Sequence, residues 1–174
     1  MFSEGSVLEA ETNSPPHAWL PWYNRHQAAL LLLARQYLAT TEEAQDALQE
    51  GFVKFWQTRA RARDMAAYLF MCVRSAALDL RRSRVARQAR ERAAVAPALF
   101  VAPVELDDRR QVLEGALEAL PEEQREVLVL KVWSELTFAQ IGQTLHIPAN
   151  TAASRYRYAI ARLQVLLASE VTHE

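Results

Sequence analysis

Three groups of side chains have types and spacings that could do chemistry, and in each case the chemistry is binding. Thr151, Arg155, Tyr158 and Arg162 recur at helical spacing on the polar side of the last apolar segment. From residue 136 to 169 the chain holds three arginines and no acid, so nothing there repels phosphate. Upstream, Tyr68, Phe70 and Arg74 precede a run of Arg81, Arg82, Arg84, Arg87, Arg90 and Arg92 that only Glu91 interrupts. Aromatic rings that stack on unpaired bases, beside cations that hold phosphates, are how proteins grip single strands. Tyr68 and Phe70 are two residues apart, so they cannot both face a core and at least one lies near the surface. Glu43, Asp46 and Glu50 fall at i, i+3 and i+7 and gather into an acidic stripe. Such a stripe suits a basic partner, and it equally suits a solvated helix face. For catalysis there is nothing comparable: no nucleophile with a base and no glycine-rich phosphate loop, so no enzyme and no cofactor are expected. The scattered His17, His26, His146 and His173 share no ligand spacing with each other or with Cys72, and no metal is expected.

The elements that must position these groups are helices. Thr137 and Gln140 form a capping box ahead of a short helix with Ile141 and Leu145 on one face. His146-Ile147-Pro148 stops it, because Pro148 biases the residue before it away from helical angles. Asn150 then caps a second helix whose apolar side is Ala152, Tyr156, Ala159, Ile160, Leu163 and Leu167. A short helix, a tight turn and a longer helix with arginine outside fit the DNA major groove. The plain alternative is a pair of packed helices with a solvated face. Upstream, Trp19 to Ala39 reads as an apolar helix broken near Pro21. Thr41 caps a helix from Glu42 to Gln57, in which Ala44, Ala47, Leu48, Phe52, Phe55 and Trp56 keep the helical period. Residues 58–64 read as a basic loop, and Asp64 caps a third helix running to Arg92. Pro121 opens a further helix, with Glu122 and Glu123 placed favourably against its dipole.

The 174 residues allow one domain or two small ones. Four glycines with abundant Ala and Leu point to an all-α chain. The net charge of −1 conceals segregation. Residues 22–92 hold thirteen Arg and Lys against seven Asp and Glu, whereas residues 93–174 hold seven against eleven. Local density of this kind is a better guide to a nucleic-acid footprint than the isoelectric point. No stretch approaches the roughly 20 apolar residues of a membrane span, and the N-terminus lacks a secretory signal. One cysteine precludes an internal disulfide, and its apolar neighbours make Cys72 a core residue. A cytoplasmic protein is expected. Its divisions are a disordered lead at 1–18, a helical unit at 19–92, a linker at 93–105 and a helix-turn-helix unit at 106–174.

Taken in order, these pieces resemble a bacterial RNA polymerase sigma factor of the extracytoplasmic-function (ECF) group, the smallest type in the sigma-70 superfamily. EEAQDALQEGFVKFW (Glu42 to Trp56) looks like the group's D-A-E-D-x-x-Q-E-x-F-x-x-x-W helix. AYLFMCVRSAALDLRRSR (Ala67 to Arg84) is similar to its A-W-L-x-x-I-A-R-N-x-x-x-D-x-x-R segment, and residues 116–163 follow its last pattern without a gap. The resemblance implies two small helical domains, a region 2 bundle and a region 4 helix-turn-helix. It implies that Asp46, Gln49, Glu50 and Phe52 dock on the clamp helices of core RNA polymerase. Tyr68, Phe70, Arg74, Ser75, Arg81 and Arg82 would open the proximal promoter element. Ser154, Arg155, Arg157 and Tyr158, with Thr151 and Arg162 beside them, would read the distal element of promoter DNA. The chain departs from the group in having Tyr68 for Trp, Ser75 for Asn, a 58–64 loop about three residues short, Ala153 for a basic residue and Tyr158 for Arg. A stand-alone helix-turn-helix regulator is the alternative, and it leaves the acidic helix and the arginine run without a purpose. An anti-sigma factor packed between the two units is neither required nor excluded.

Overall fold

The computed structural model describes residues 16–91, 113 and 115–171, and every regular element among them is helical. α1 (Pro16–Arg35), α2 (Thr41–Thr58) and α3 (Met65–Glu91) form a first bundle. α4 (Glu122–Val132), α5 (Phe138–Leu145) and α6 (Ala149–Val171) form a second, preceded by a helical turn at residues 115–118. The expected linker at 93–105 and the first fifteen residues of the expected lead lie outside the described residues. The last three residues of that lead begin α1, which continues through Pro21 rather than breaking there.

Local chemistry sets the ends of the helices. Thr40, not Thr41, caps α2: its hydroxyl accepts from the Glu43 N–H at 3.1 Å, and the Glu43 carboxylate accepts from the Thr40 N–H at 3.3 Å. A 3-10 turn, Arg59–Arg61, occupies much of the expected loop. Asp64 caps α3 as its position indicates, accepting from the Ala67 N–H at 2.9 Å. Thr137 and Gln140 make the expected capping box on α5. His146 closes that helix in the left-handed region at φ 57°, a conformation His adopts more readily than bulkier residues. Asn150 does not cap α6. That helix begins at Ala149, and the Pro148 carbonyl accepts from the N–H groups of Thr151 and Ala152.

α3 is the centre of the molecule. Between Met65 and Ala77 it buries Met65, Ala66, Ala67, Leu69, Phe70, Cys72, Val73, Ala76 and Ala77. α1 and α2 cover one side of it and α5 covers another. Gly51 of α2 sits so close to α3 that a Cβ there would lie 2.6 Å from the Val73 Cα. One apolar cluster runs from Leu30, Leu33 and Phe55 through α3 to Val127, Leu130, Ile141 and Leu145. A smaller cluster joins Ala116, Leu117 and Leu120 to Leu128, Ala159 and Leu163. Arg125 ties the preceding turn to α4, donating to the Glu118 and Leu120 carbonyls at 3.2 and 3.4 Å.

The turn between α5 and α6 is equally tight. A Cβ at Gly142 would lie 2.6 Å from the Ile147 carbonyl oxygen, a backbone atom, and 3.3 Å from the Ala149 nitrogen. The same Gly142 carbonyl accepts from the Ile147 N–H at 2.9 Å, so neither strand of the turn can withdraw without losing that bond. Gly142→Ala is expected to destabilise the protein by about 1–3 kcal/mol through overpacking. Urea unfolding checks this, and a loss under about 0.5 kcal/mol, the level of an ordinary surface change, overturns it.

Candidate nucleic-acid interface

The second bundle presents α6 as its outer helix. Ala152, Ala159 and Leu163 are buried, with Tyr156, Ile160 and Leu167 half-buried beside them, as the periodicity indicates. Arg157, Tyr158 and Arg162 are exposed on the opposite side, Tyr158 at 66 %. Arg157 donates to Ser154 Oγ at 3.2 Å, which joins two residues of the same face. Thr151 and Arg155 are half-buried, and Arg155 leans toward α4, 4.0 Å from Glu123. Apart from the Glu123 contact, this is a polar helix face of one charge sign.

On α3 the structure separates the two aromatic candidates. Phe70 is fully buried against Trp22, so the expectation that it meets DNA is corrected: it is a core residue. Tyr68 is half-buried, packs on Phe55, and donates from Oη to Thr58 Oγ1 at 2.9 Å. With Ala62, Arg63, Asp64, Met71 and Gln143 it lines a small opening of about 90 Å³ beside the short loop. Arg59 lies over the Trp56 ring, 3.6 Å from its centroid, and donates to the Trp56 carbonyl. Ser75 accepts from Lys54 at 3.4 Å, and the two help line a cleft of about 230 Å³ with Arg74, Arg82 and His146.

The arginines of α3 have partners that sequence reasoning missed. Arg74 donates to Glu126 at 2.9 Å and to the Tyr37 hydroxyl at 3.1 Å. Arg81 forks onto Glu122 at 2.9 and 3.4 Å. Arg82 bonds Asp79 one turn back, and Arg84 reaches Glu43 of α2 at 3.2 Å. The sequence places Glu122 and Glu123 against a helix dipole, which is correct but incomplete. The usable signal was charge segregation, since an acidic second unit and a basic first unit attract when packed.

The acidic stripe of α2 is therefore shorter than its spacing indicates. Glu43 is spent on its capping box and on Arg84. Asp46, Gln49 and Glu50 are exposed, and Asp46 borders a groove with Leu80, Ser83, Arg84 and Arg87. Phe52 is half-buried among Tyr23, Phe55 and Trp56, so it supports the stripe from beneath.

Comparison with known proteins adds a family to this geometry. Residues 22–87 match the family Sigma-70 region 2, and residues 110–163 match Sigma-70, region 4. The chain is 32 % identical over 173 residues to the ECF RNA polymerase sigma factor SigM of Mycobacterium tuberculosis, covering 95 % of this chain and 85 % of SigM. It is 28 % identical to the ECF RNA polymerase sigma factor SigK of Mycolicibacterium vanbaalenii, over 93 % and 88 % of the two chains. The fold is that of the sigma factor RpoE from Bartonella quintana, solved with the anti-sigma factor NepR, at a TM-score of 0.70 and 22 % identity over 86 % of this chain and 96 % of that one. CnrH, solved with the cytosolic domain of CnrY, superposes at 0.65 with 23 % identity over 96 % and 99 %.

Glu126 is the buried carboxyl of this site. Its side chain is 4 % exposed. Burial pushes the carboxyl up to about 7, against a downward pull from Arg155. Burial also lowers the Arg74 guanidinium, which Glu122 pulls back upward and Arg81 lowers further. The folded protein thus holds a proton on Glu126 that the unfolded chain would release near 4.5. Stability from this group is full below that value and is lost as pH rises through about 7. Glu126→Gln removes the titration. Between about pH 5.5 and 8.5 the parent chain should lose about 2 kcal/mol relative to this variant. Urea unfolding of both proteins at the two pH values reads the difference, and a difference flat in pH overturns the assignment.

Proposed function

The chain belongs to the ECF sigma factors, which bind core RNA polymerase and direct promoter recognition and transcription initiation, and on that premise we propose which of its surfaces meets which partner. The observation that carries the assignment is the segregation of exposed charge. Asp46, Gln49 and Glu50 stand exposed on α2, while among the described side chains of α6, residues 149–168, the exposed face carries arginine and no acid. The α2 stripe, with Phe52 beneath it, docks on the clamp helices of the polymerase. Tyr68, Arg74, Ser75, Arg81 and Arg82 of α3, next to the short loop, act on the proximal promoter element as it opens. Thr151, Ser154, Arg155, Arg157, Tyr158 and Arg162 of α6 lie in the major groove of the distal element.

A stand-alone helix-turn-helix regulator accounts only for the last of these surfaces. It gives no role to the α2 stripe or to α3. The solved relatives RpoE and CnrH were captured with NepR and with CnrY, which supports an anti-sigma partner for this chain as well. Residues 19–92 and 106–174 are the two working units, joined by the segment between them. Cytoplasm, where the polymerase works, is the compartment this assigns. Among the described residues no helix is long and apolar enough to cross a membrane.

Two variants test the surfaces. Asp46→Lys with Glu50→Lys turns charge complementarity into repulsion, and core-polymerase association should weaken by tenfold or more while helix content is unchanged. Copurification with core at the parent level would remove α2 from the interface. Arg155→Ala is expected to cost roughly 1–3 kcal/mol at the preferred distal element, with a smaller loss on unrelated duplex. Binding titrations on both duplexes decide it: equal losses make Arg155 a phosphate contact, and no loss removes it from the interface.

A further inference from the structure

The cleft of about 230 Å³ beside Ser75 forms where three elements meet. α2 contributes Lys54, α3 contributes Met71, Ser75, Leu78 and Arg82 from successive turns, and His146 lines it from the end of α5. With Arg74 the lining carries three positive charges, and no carboxylate is among the lining residues. Met71, Leu78 and the buried Cys72 give the same cleft an apolar wall.

The cations differ in how far they are committed. Arg74 is held by Glu126 at 2.9 Å and by the Tyr37 hydroxyl at 3.1 Å. Arg82 pairs with Asp79 one turn back, but both side chains are exposed, and water can replace such a pair at small cost. Lys54 has three donors, and its contact with Ser75 Oγ, at 3.4 Å, is longer than an ordinary hydrogen bond. His146 is exposed, and its backbone fixes its place: φ is 57° and its N–H donates to the Gly142 carbonyl. Lys54, Arg82 and His146 can therefore turn to a ligand without disturbing the core.

An anion with several acceptor oxygens and a small apolar body suits this lining. A phosphate monoester carries about −1.5 to −2 charge at neutral pH and three acceptor oxygens, enough for Lys54, Arg82 and the Ser75 hydroxyl together. A carboxylate offers one charge and two oxygens. The cleft is smaller than the roughly 300 Å³ at which pockets for drug-sized ligands begin, which limits the body to something near a single ring.

We propose that this cleft binds a small phosphate monoester, with the phosphate among Lys54, Ser75, Arg82 and His146 and the body against Met71 and Leu78. Lys54 and His146 have no part in the promoter reading, so the proposal goes beyond that reading and either can fail alone.

Phenyl phosphate, a phosphate monoester on one aromatic ring, is the probe. Titrated into the isotope-labelled full chain, it should shift the amide resonances around Lys54, Ser75, Leu78 and His146, with a Kd at or below about 1 mM. Inorganic phosphate lacks the body and benzoate lacks the second charge, and each should bind at least fivefold more weakly. Lys54→Gln and His146→Asn should each weaken phenyl phosphate about fivefold or more, as the loss of a hydrogen bond to a charged group does. Asparagine keeps the left-handed conformation accessible at 146, and far-UV circular dichroism verifies that both variants fold. Arg87→Gln removes an exposed charge outside the cleft and should leave the affinity within about twofold. The proposal is overturned by absent shifts, by equal affinity for inorganic phosphate or benzoate, or by parent affinity in both cleft variants. A loss in Arg87→Gln as large as in Lys54→Gln also overturns it, because the binding is then a general attraction to basic helices.

Discussion

From Met65 to Leu78, α3 offers apolar or small side chains on almost every side, and a helix of that kind is stable only when it is covered all round. α1 and α2 cover it in part, with Gly51 allowing α2 to approach within van der Waals reach of the Val73 backbone. The remaining surface takes α5, with Thr144 bonding the Ala67 carbonyl across the junction. That requirement brings a helix-turn-helix unit against a bundle far upstream in the chain. It also fixes where α4 must lie, and hence which side chains the α4 acids can reach.

Pairing within this junction is uneven. Arg74 and Glu126 are both substantially withdrawn from water, and a buried pair recovers its desolvation cost only when geometry and further hydrogen bonds are good. Arg74 has a second acceptor in the Tyr37 hydroxyl, whereas Glu126 has its carboxyl pushed up by burial. The junction therefore contains one carboxyl whose charged form burial opposes. Arg81 and Glu122, at the rim, are solvated enough that either can exchange its partner for water at small cost. A junction built in this way is specific without being tightly locked.

The helices and their caps were legible because they depend on neighbours in sequence. Thr137 with Gln140, Asp64 ahead of α3, and the alternation of faces along α6 need only local geometry, and each appears as read. Errors at Thr40 and Asn150 are shifts of one or two positions, within the normal uncertainty of helix ends. The choice between Tyr68 and Phe70 could not be made from spacing, since either could face inward. It was settled by Trp22, from a helix over forty residues upstream, packing on Phe70. The partners of Arg74, Arg81 and Arg155 were illegible for the same reason. They are set by tertiary packing, between units for Arg74 and Arg81 and within the second bundle for Arg155, and charge segregation alone gives their sign but not their identity.

Where the proposed polymerase stripe lies relative to this junction bears on the order of events. Asp46, Gln49 and Glu50 are exposed on α2, and none of them contributes to the contacts between the bundles. The stripe is therefore open to a partner while the two bundles are packed together. The groove beside Asp46 is lined by Arg84 and Arg87 from the far end of α3, and Arg84 is already tied to Glu43 of α2. A basic partner approaching Asp46 thus also approaches two arginines of the helix that the second bundle covers at its other end. Repulsion there acts on α3, which packs against the second bundle through α5.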